Sequence, residues 1–252
     1  MPSPSLYGII GHPLTHSFSP AFFKKKFADQ HIDAVYDAYP IASIAELPEL
    51  LKSHPDLKGL NVTLPYKEAV IDHLDELDAT AAAIGAVNCI AIHDSKLKGY
   101  NTDAEGFELS LVPLLQPQHK HALILGTGGA SKAVAYSLKQ LNIPFQFVSR
   151  NKEQGTITYA DCSRELLSNH TLIINTTPVG QYPHIEEAPQ LPYEALTDQH
   201  LLYDLIYNPE ETRFLALGKG RGATIKNGFE MLQLQAEASW NIWMSHPDQP
   251  TV

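Results

Sequence analysis

The stretch HALILGTGGASKAVAYSLKQL, residues 121–141, holds three kinds of local order in succession. Ala122 to Leu125 form a continuous apolar run, short enough for a strand buried on both faces. Three glycines follow at Gly126, Gly128 and Gly129, and from Ala130 the apolar residues recur at helical spacing. A strand, a glycine turn and a helix in that order open a parallel βαβ unit. The position of the glycines also has a chemical meaning. Without side chains the backbone can approach a pyrophosphate, and free N–H groups at the helix start face the anion. The pattern is G-x-G-G-A-S rather than the strict G-x-G-x-x-G, and a tight turn without a ligand is the alternative.

Downstream the alternation continues. Residues 145–148, 171–175, 201–205 and 223–225 read as strands, and 229–244 as a final helix. The second strand runs into FVSRNK, with Arg150 and Lys152 and no acid before Glu153. A site for NAD usually places an acid here to hold the ribose 2′-hydroxyl, whereas an arginine fork suits a 2′-phosphate. NADP is therefore the expected cofactor, unless Arg150 only faces solvent. Residues 155–161 and 182–192 read as surface loops, the second rich in proline and acid.

Upstream, residues 6–10, 34–40, 59–62 and 88–93 read as strands, with helical spacing over 20–30 and 44–53. This is a second run of α/β order. The expected fold is α/β with two domains: an N-terminal α/β domain with a mainly parallel sheet, and a Rossmann-like dinucleotide-binding domain. The boundaries expected are 1–103 plus 228–252 for the first and 104–227 for the second. The last helix would then pack back on the first domain.

Composition narrows the partners. A net charge of −10 argues against nucleic acid or an anionic membrane surface. No apolar run reaches the ~18 residues of a membrane span, and MPSPSLYGII lacks the features of a secretory leader. Two distant cysteines, Cys89 and Cys162, read as buried thiols in a reducing, cytoplasmic setting. The histidines show no ligand spacing; His12 and His16 are separated by Pro13, so no metal is expected.

Three segments of the first half are overspecified for packing alone. In HPLTHSFSP, Ser17 and Ser19 alternate across Phe18 at a helix start, where two hydroxyls could cradle a carboxylate. Ser19 before Pro20 is equally a plain N-cap. In GLNVTLPYKEAV, Pro65 is expected in a first helical turn, and Lys67 with it. A cation there opposes the helix dipole by roughly 0.3–1 kcal/mol, which would help depress its pKa for acid–base work; a solvated surface lysine is the alternative. In GYNTDAEGF, Thr102 and Glu105 could form a capping box, with Asp103 an ordinary first-turn acid. Asn88 in GAVNCI is an amide in an apolar strand and must find buried partners. Gln235 shares a helical face with Met231, Ala238 and Ile242.

Taken together these segments resemble the shikimate dehydrogenase family. HSFSP looks like its S-x-S-P loop and NVTLPYK like its N-V-T-x-P-x-K motif. GAVNCI, YNTDAEGF, GTGGAS and NTTPVG follow in the family's order and spacing. The resemblance implies a reversible, NADP(H)-dependent interconversion of 3-dehydroshikimate and shikimate in aromatic amino-acid (chorismate) biosynthesis. It makes Lys67 and Asp103 the catalytic pair. It makes Ser17, Ser19, Asn61, Thr63, Asn88, Tyr207 and Gln235 substrate contacts. It puts Gly126, Gly128, Gly129, Ala130, Arg150, Thr176 and Gly228 on the cofactor. The partner is then a small molecule, and the protein a monomer or homodimer. At the second strand end the chain departs from the family's N-R-T, reading Ser149, Arg150, Asn151 and then Lys152. A quinate/shikimate dehydrogenase with wider substrate range and NAD use is an alternative, and a non-catalytic nucleotide sensor on the same scaffold is another.

Overall fold

The computed structural model describes residues 4–14, 17–152 and 155–245. His16, Glu153, the start of the chain at 1–3 and residues 246–252 lie outside them. The chain divides into two compact units, Met1–Glu105 with Gln235–Val252, and Gly106–Leu234.

The first unit begins with β1 (Ser5–Ile10), α1 (Phe18–Asp29), β2 (Ala34–Tyr39), α2 (Leu47–Ser53) and β3 (Leu57–Val62). It continues with β4 (Glu76–Leu77), α3 (Ala79–Ile84), β5 (Cys89–His93) and β6 (Lys96–Tyr100). The sheet order is β2-β1-β3-β5-β6-β4. Pairings β1/β2, β1/β3 and β4/β6 are parallel, whereas β3/β5 and β5/β6 are antiparallel. The expected sheet is mainly parallel; β5 runs against it, antiparallel to β3, and a hairpin returns the chain to β6. Asp94 and Ser95 link β5 to β6 with φ of 47° and 61°. Two left-handed residues in a two-residue loop match the right-handed twist of the strands.

After α4 (Asp103–Leu111), the second unit contains β7 (Ala122–Leu125), α5 (Gly129–Gln140), β8 (Phe145–Ser149) and β9 (Thr156–Thr158). Then come α6 (Arg164–Asn169), β10 (Leu172–Asn175), β11 (Leu201–Asp204), α7 (Arg213–Lys219), β12 (Thr224–Lys226) and α8 (Phe229–Met244). All its strand pairs are parallel, in the order β12-β11-β10-β7-β8-β9. The order reverses between β7 and β10, the crevice position where doubly wound sheets bind ligands. Every residue of β7, β10 and β11 is buried. Ala122, Ile124, Leu172 and Ile174 pack on one face with Phe107, Val134 and Met231. Leu123, Leu125, Ile173 and Leu202 pack on the other with Phe214 and Leu215. The period of two sends alternate residues to opposite layers.

Residues 155–161 are not the surface loop expected of them. Thr156, Ile157 and Thr158 are β-branched and extend the sheet beside β8. Asp161 Oδ2 then accepts from Thr158 N and Thr158 Oγ1, both at 2.8 Å, closing a short 3₁₀ turn.

The last helix begins in the second unit, where Met231 joins the core, and from Gln235 onward it belongs to the first. There Ala236, Trp240 and Trp243 pack with Tyr7, Phe23, Phe27 and Tyr36 on one face of the sheet. Tyr7 stacks on Trp243 with centroids 4.9 Å apart, and Trp243 Nε1 donates to Ile90 O at 3.0 Å. The other face is covered by Ile10, Leu60, Val62, Val70, Val87 and Ile90. Among the described residues no helix is long and apolar enough to cross a membrane. None of their His, Cys, Asp and Glu side chains form a group of three or more able to hold a metal ion.

Candidate functional site

Lys67 does not lie in a helix. After β3 the chain turns over residues 64–68, and the following helix is a 3₁₀ segment, Ala69–His73. The reason is visible in the backbone. Lys67 O accepts from Val87 N at 2.7 Å, so that carbonyl is spent across the unit instead of on the next helical turn. The Lys67 ammonium donates to Asp103 Oδ2 at 2.6 Å, with side-chain exposures of only 18% and 10%. Asp103 is the first residue of α4, where a negative charge suits the helix dipole.

Asn88 holds the other side of the carboxylate. Its Nδ2 donates to Asp103 Oδ1 and Thr102 Oγ1, each at 2.9 Å, and reaches Gln235 Oε1 at 3.4 Å. Its Oδ1 accepts from Thr102 N at 2.7 Å. Thr102 is therefore turned toward this network and not engaged as the cap expected of it; Asn101 Oδ1 accepts from Ala104 N instead. Asn61 is equally committed. Its Oδ1 accepts from Tyr36 Oη at 2.7 Å, and its Nδ2 donates to Ser239 Oγ at 3.0 Å and Asn88 O at 3.2 Å. Thr102 Oγ1 closes the layer against Ser239 Oγ at 3.2 Å.

Tyr36 and Ser239 were not singled out from the sequence. Ser239 lies four residues after Gln235 on one helical face, so it extends the polar interruption of that face. Tyr36 gave no comparable signal. Burial raises the Tyr36 hydroxyl well above its usual range, and a hydrogen bond with Ser19 partly offsets this. Burial likewise pushes the Cys89 thiol up to about 12, which removes it as a nucleophile near neutral pH.

The N-cap of α1 is Ser17, not Ser19 before Pro20, because the helix begins at Phe18. Ser17 makes no capping hydrogen bond with its side chain, and Ser19 is buried in the first turn. Thr63 is half-buried directly after β3, with its N–H on Ile10 O at 3.0 Å. The first unit thus brings together Lys67, Asp103, Asn88, Asn61 and Gln235, with Ser19 buried at the start of α1. Tyr207 belongs to the second unit, half-buried after β11.

In the second unit the glycine loop joins β7 to α5. Gly126 has φ of 102°, a conformation open to glycine but strained for other residues, and its N–H donates to Val148 O at 2.8 Å. Gly128 is the N-cap of α5, and nothing lies within 4 Å of where its side chain would be. Gly129 and Ala130 form the start of the helix, whose first turn carries no acid. A helix start without a side-chain cap, fronted by open space, fits a pyrophosphate. Thr176 follows β10 and donates both N and Oγ1 to Leu125 O, at 3.0 and 2.7 Å. Gly228 follows β12, and a Cβ there would meet Leu205 O at 2.1 Å, so only glycine fits the backbone contact. Arg150 is exposed at the end of β8, with Lys152 exposed nearby. The glycine loop, Thr176, Tyr207 and Gly228 all follow the C-terminal ends of parallel strands, the edge that binds ligands in such sheets.

Comparison with known proteins places this architecture. The sequence profile of the shikimate dehydrogenase substrate binding domain matches residues 9–90. A shikimate dehydrogenase (NADP(+)) of Bacillus cereus is 37% identical, covering 94% of this chain and 92% of the relative. The shikimate dehydrogenase of Aquifex aeolicus is similar in structure with TM-score 0.85 and 35% identity, covering 98% of this chain and 94% of that one. The enzyme of Thermus thermophilus, solved in complex with NADP(H) and shikimate, has TM-score 0.85 and 30% identity over 96% of this chain and 94% of its own. With a relative this similar over nearly the full length of both chains, the protein belongs to the shikimate dehydrogenase family.

Proposed function

We propose that the protein is an NADP-dependent oxidoreductase that interconverts 3-dehydroshikimate and shikimate, within aromatic amino-acid biosynthesis. The observation that carries the reading is the Lys67–Asp103 pair at 2.6 Å, held from its other side by Asn88. NADP, when bound, supplies or takes up the hydride. The protein must orient the substrate and manage one proton. In the reductive direction Lys67, as ammonium, hydrogen-bonds the carbonyl oxygen and gives it the proton as negative charge develops there. Asp103 holds that ammonium in place and accepts from a neighbouring substrate hydroxyl. Ser17 and Ser19, at the start of α1, receive the substrate carboxylate. Asn61 and Asn88 both have their amides filled by protein partners, so together they build the floor of the substrate site in this reading. Arg150 serves the 2′-phosphate, Gly126 to Ala130 the pyrophosphate, and Thr176 and Gly228 the nicotinamide end. The reading carries with it a cytoplasmic protein acting on a small molecule, with neither nucleic acid nor membrane as partner.

A second reading, with quinate or NAD also accepted, is favoured by one observation: the strand end offers Arg150 and Lys152 in place of the family's usual arginine pattern. Initial rates with shikimate and quinate, each against NADP and NAD, separate the two. Activity confined to shikimate with NADP supports the first reading, and comparable rates with quinate or NAD support the second. No activity with any pair leaves a nucleotide-binding protein without this chemistry.

A further inference from the structure

Asp204 ends β11 with 0% exposure. A carboxylate without solvent needs donors, and this one has three. Thr212 Oγ1 donates to Oδ2 at 2.6 Å, Asn175 Nδ2 to Oδ1 at 3.0 Å, and Ile206 N to Oδ1 at 3.1 Å. Each donor belongs to a different segment. Thr212 is the N-cap of α7, Ile206 begins the turn leading to Tyr207, and Asn175 ends β10.

Asn175 passes the connection on. Its Oδ1 accepts from Thr177 N at 3.1 Å and from Thr177 Oγ1 at 2.6 Å. Thr177 Oγ1 in turn accepts from Val179 N at 3.3 Å. The turn fixed in this way is the one that presents Thr176 to Leu125 O. It also lies directly against the glycine loop: a Cβ on Gly126 would meet Thr177 Cγ2 at 2.9 Å and Thr176 Oγ1 at 3.0 Å. Burial raises the Asp204 carboxyl to about 7, even with the three hydrogen bonds pulling it down. An ionised carboxylate only accepts, so three converging donors match that form.

We propose that Asp204 is a positioning residue for the cofactor: through Asn175 it holds the turn 175–179 against the glycine loop, so that the nucleotide site is formed before the nucleotide arrives. The inference rests on the functional reading above. A preformed site binds more tightly because the loop is already ordered. Asp204 itself is not a catalytic residue, since no surface of it is left to touch a ligand.

The test is direct binding of NADPH to the full-length protein at pH 8, followed by nicotinamide fluorescence, alongside KM for NADP and the melting temperature. Asp204→Ala is expected to weaken NADPH about tenfold, as the loss of a charged hydrogen-bond acceptor implies, with KM for NADP rising in step. Asp204→Asn keeps an acceptor for Asn175 and Ile206 while the Thr212 hydroxyl turns to accept, so it should recover most of the affinity. Asn175→Ala should weaken NADPH to a similar degree with KM for shikimate unchanged. The double variant should be no weaker than the weaker single one, because both act in one chain of contacts. An Asp204→Ala protein that melts lower yet binds NADPH like the wild type overturns the proposal, as do additive effects in the double variant. Should Asp204→Ala fail to fold, normal NADPH binding by Asn175→Ala overturns it equally. A wild-type protein that binds no NADPH removes the functional reading and this inference with it. Wild-type binding with unaltered variants removes the inference alone.

Discussion

Asn61 on β3 donates to Ser239 on α8 at 3.0 Å, although the two residues stand 178 positions apart in the chain. The contact joins the two chain segments of the first unit in one polar layer, with Thr102 and Asn88 as its other members.

Ser239→Ala should therefore act on the substrate site as well as on stability. It leaves one Asn61 N–H without its acceptor in a buried place, at a cost of about 1–3 kcal/mol. For a chain of this size that corresponds to roughly 2–4 °C in Tm per kcal/mol. A several-fold rise in KM for shikimate is expected with kcat little altered. If Tm falls but KM does not move, the layer serves the core alone.

Lys67→Ala should lower kcat by about two to four orders of magnitude, the range for a positioned proton donor, with KM for shikimate nearly unchanged. Steady-state kinetics checks this, and a large KM increase at near-normal kcat would contradict the catalytic assignment. Asp103→Asn should also lose kcat, because the amide no longer offers the ammonium a charged partner.

Arg150→Ala should raise KM for NADP roughly tenfold or more, the worth of one charge-assisted contact to phosphate, and leave KM for NAD where it was. An equal change with both cofactors would move Arg150 off the 2′-phosphate.

Acid stability should depend on His119, which is buried beside His200 and has its pKa lowered by desolvation below the usual 6.5. Its Nδ1 accepts from Gln116 N at 3.0 Å, a bond that requires the neutral ring. The folded chain prefers that neutral form, so the stability it contributes is full above the unfolded value and lost as pH falls below it. The melting temperature of the wild type should therefore drop more steeply below about pH 6.5 than that of His119→Asn. Parallel curves would show that this histidine is not involved.

Much of the second unit was legible in the sequence because its signals are local. An apolar run, three glycines and a helical repeat stand side by side in residues 121–141, and β7, the loop and α5 form from them in that order. Elements without such punctuation escaped. The β5–β6 hairpin turns on Asp94 and Ser95, neither of them glycine. The strand β9 lies in a stretch that reads as polar and owes its pairing to β8. The turn at Lys67 could not be read because the group that takes its carbonyl, Val87 N, is twenty positions away. The same holds for the site. Asn88 and Gln235 were visible as amides in apolar settings, whereas Tyr36 became visible only once folding brought its hydroxyl to Asn61.

The aromatic cover of the first sheet has a consequence for synthesis. Trp240 and Trp243 close over Tyr7, Phe23 and Tyr36, yet they are made some two hundred residues later, after the whole nucleotide-binding unit. On the ribosome the earlier half must wait with that sheet face covered by α1 alone while the later half can already fold. Its apolar surface is open to chaperones and to misassembly during that interval. A nick or truncation ahead of Gln235 would strip the first unit of its aromatic cover while sparing most of the second, so the two halves of one chain would part company in stability.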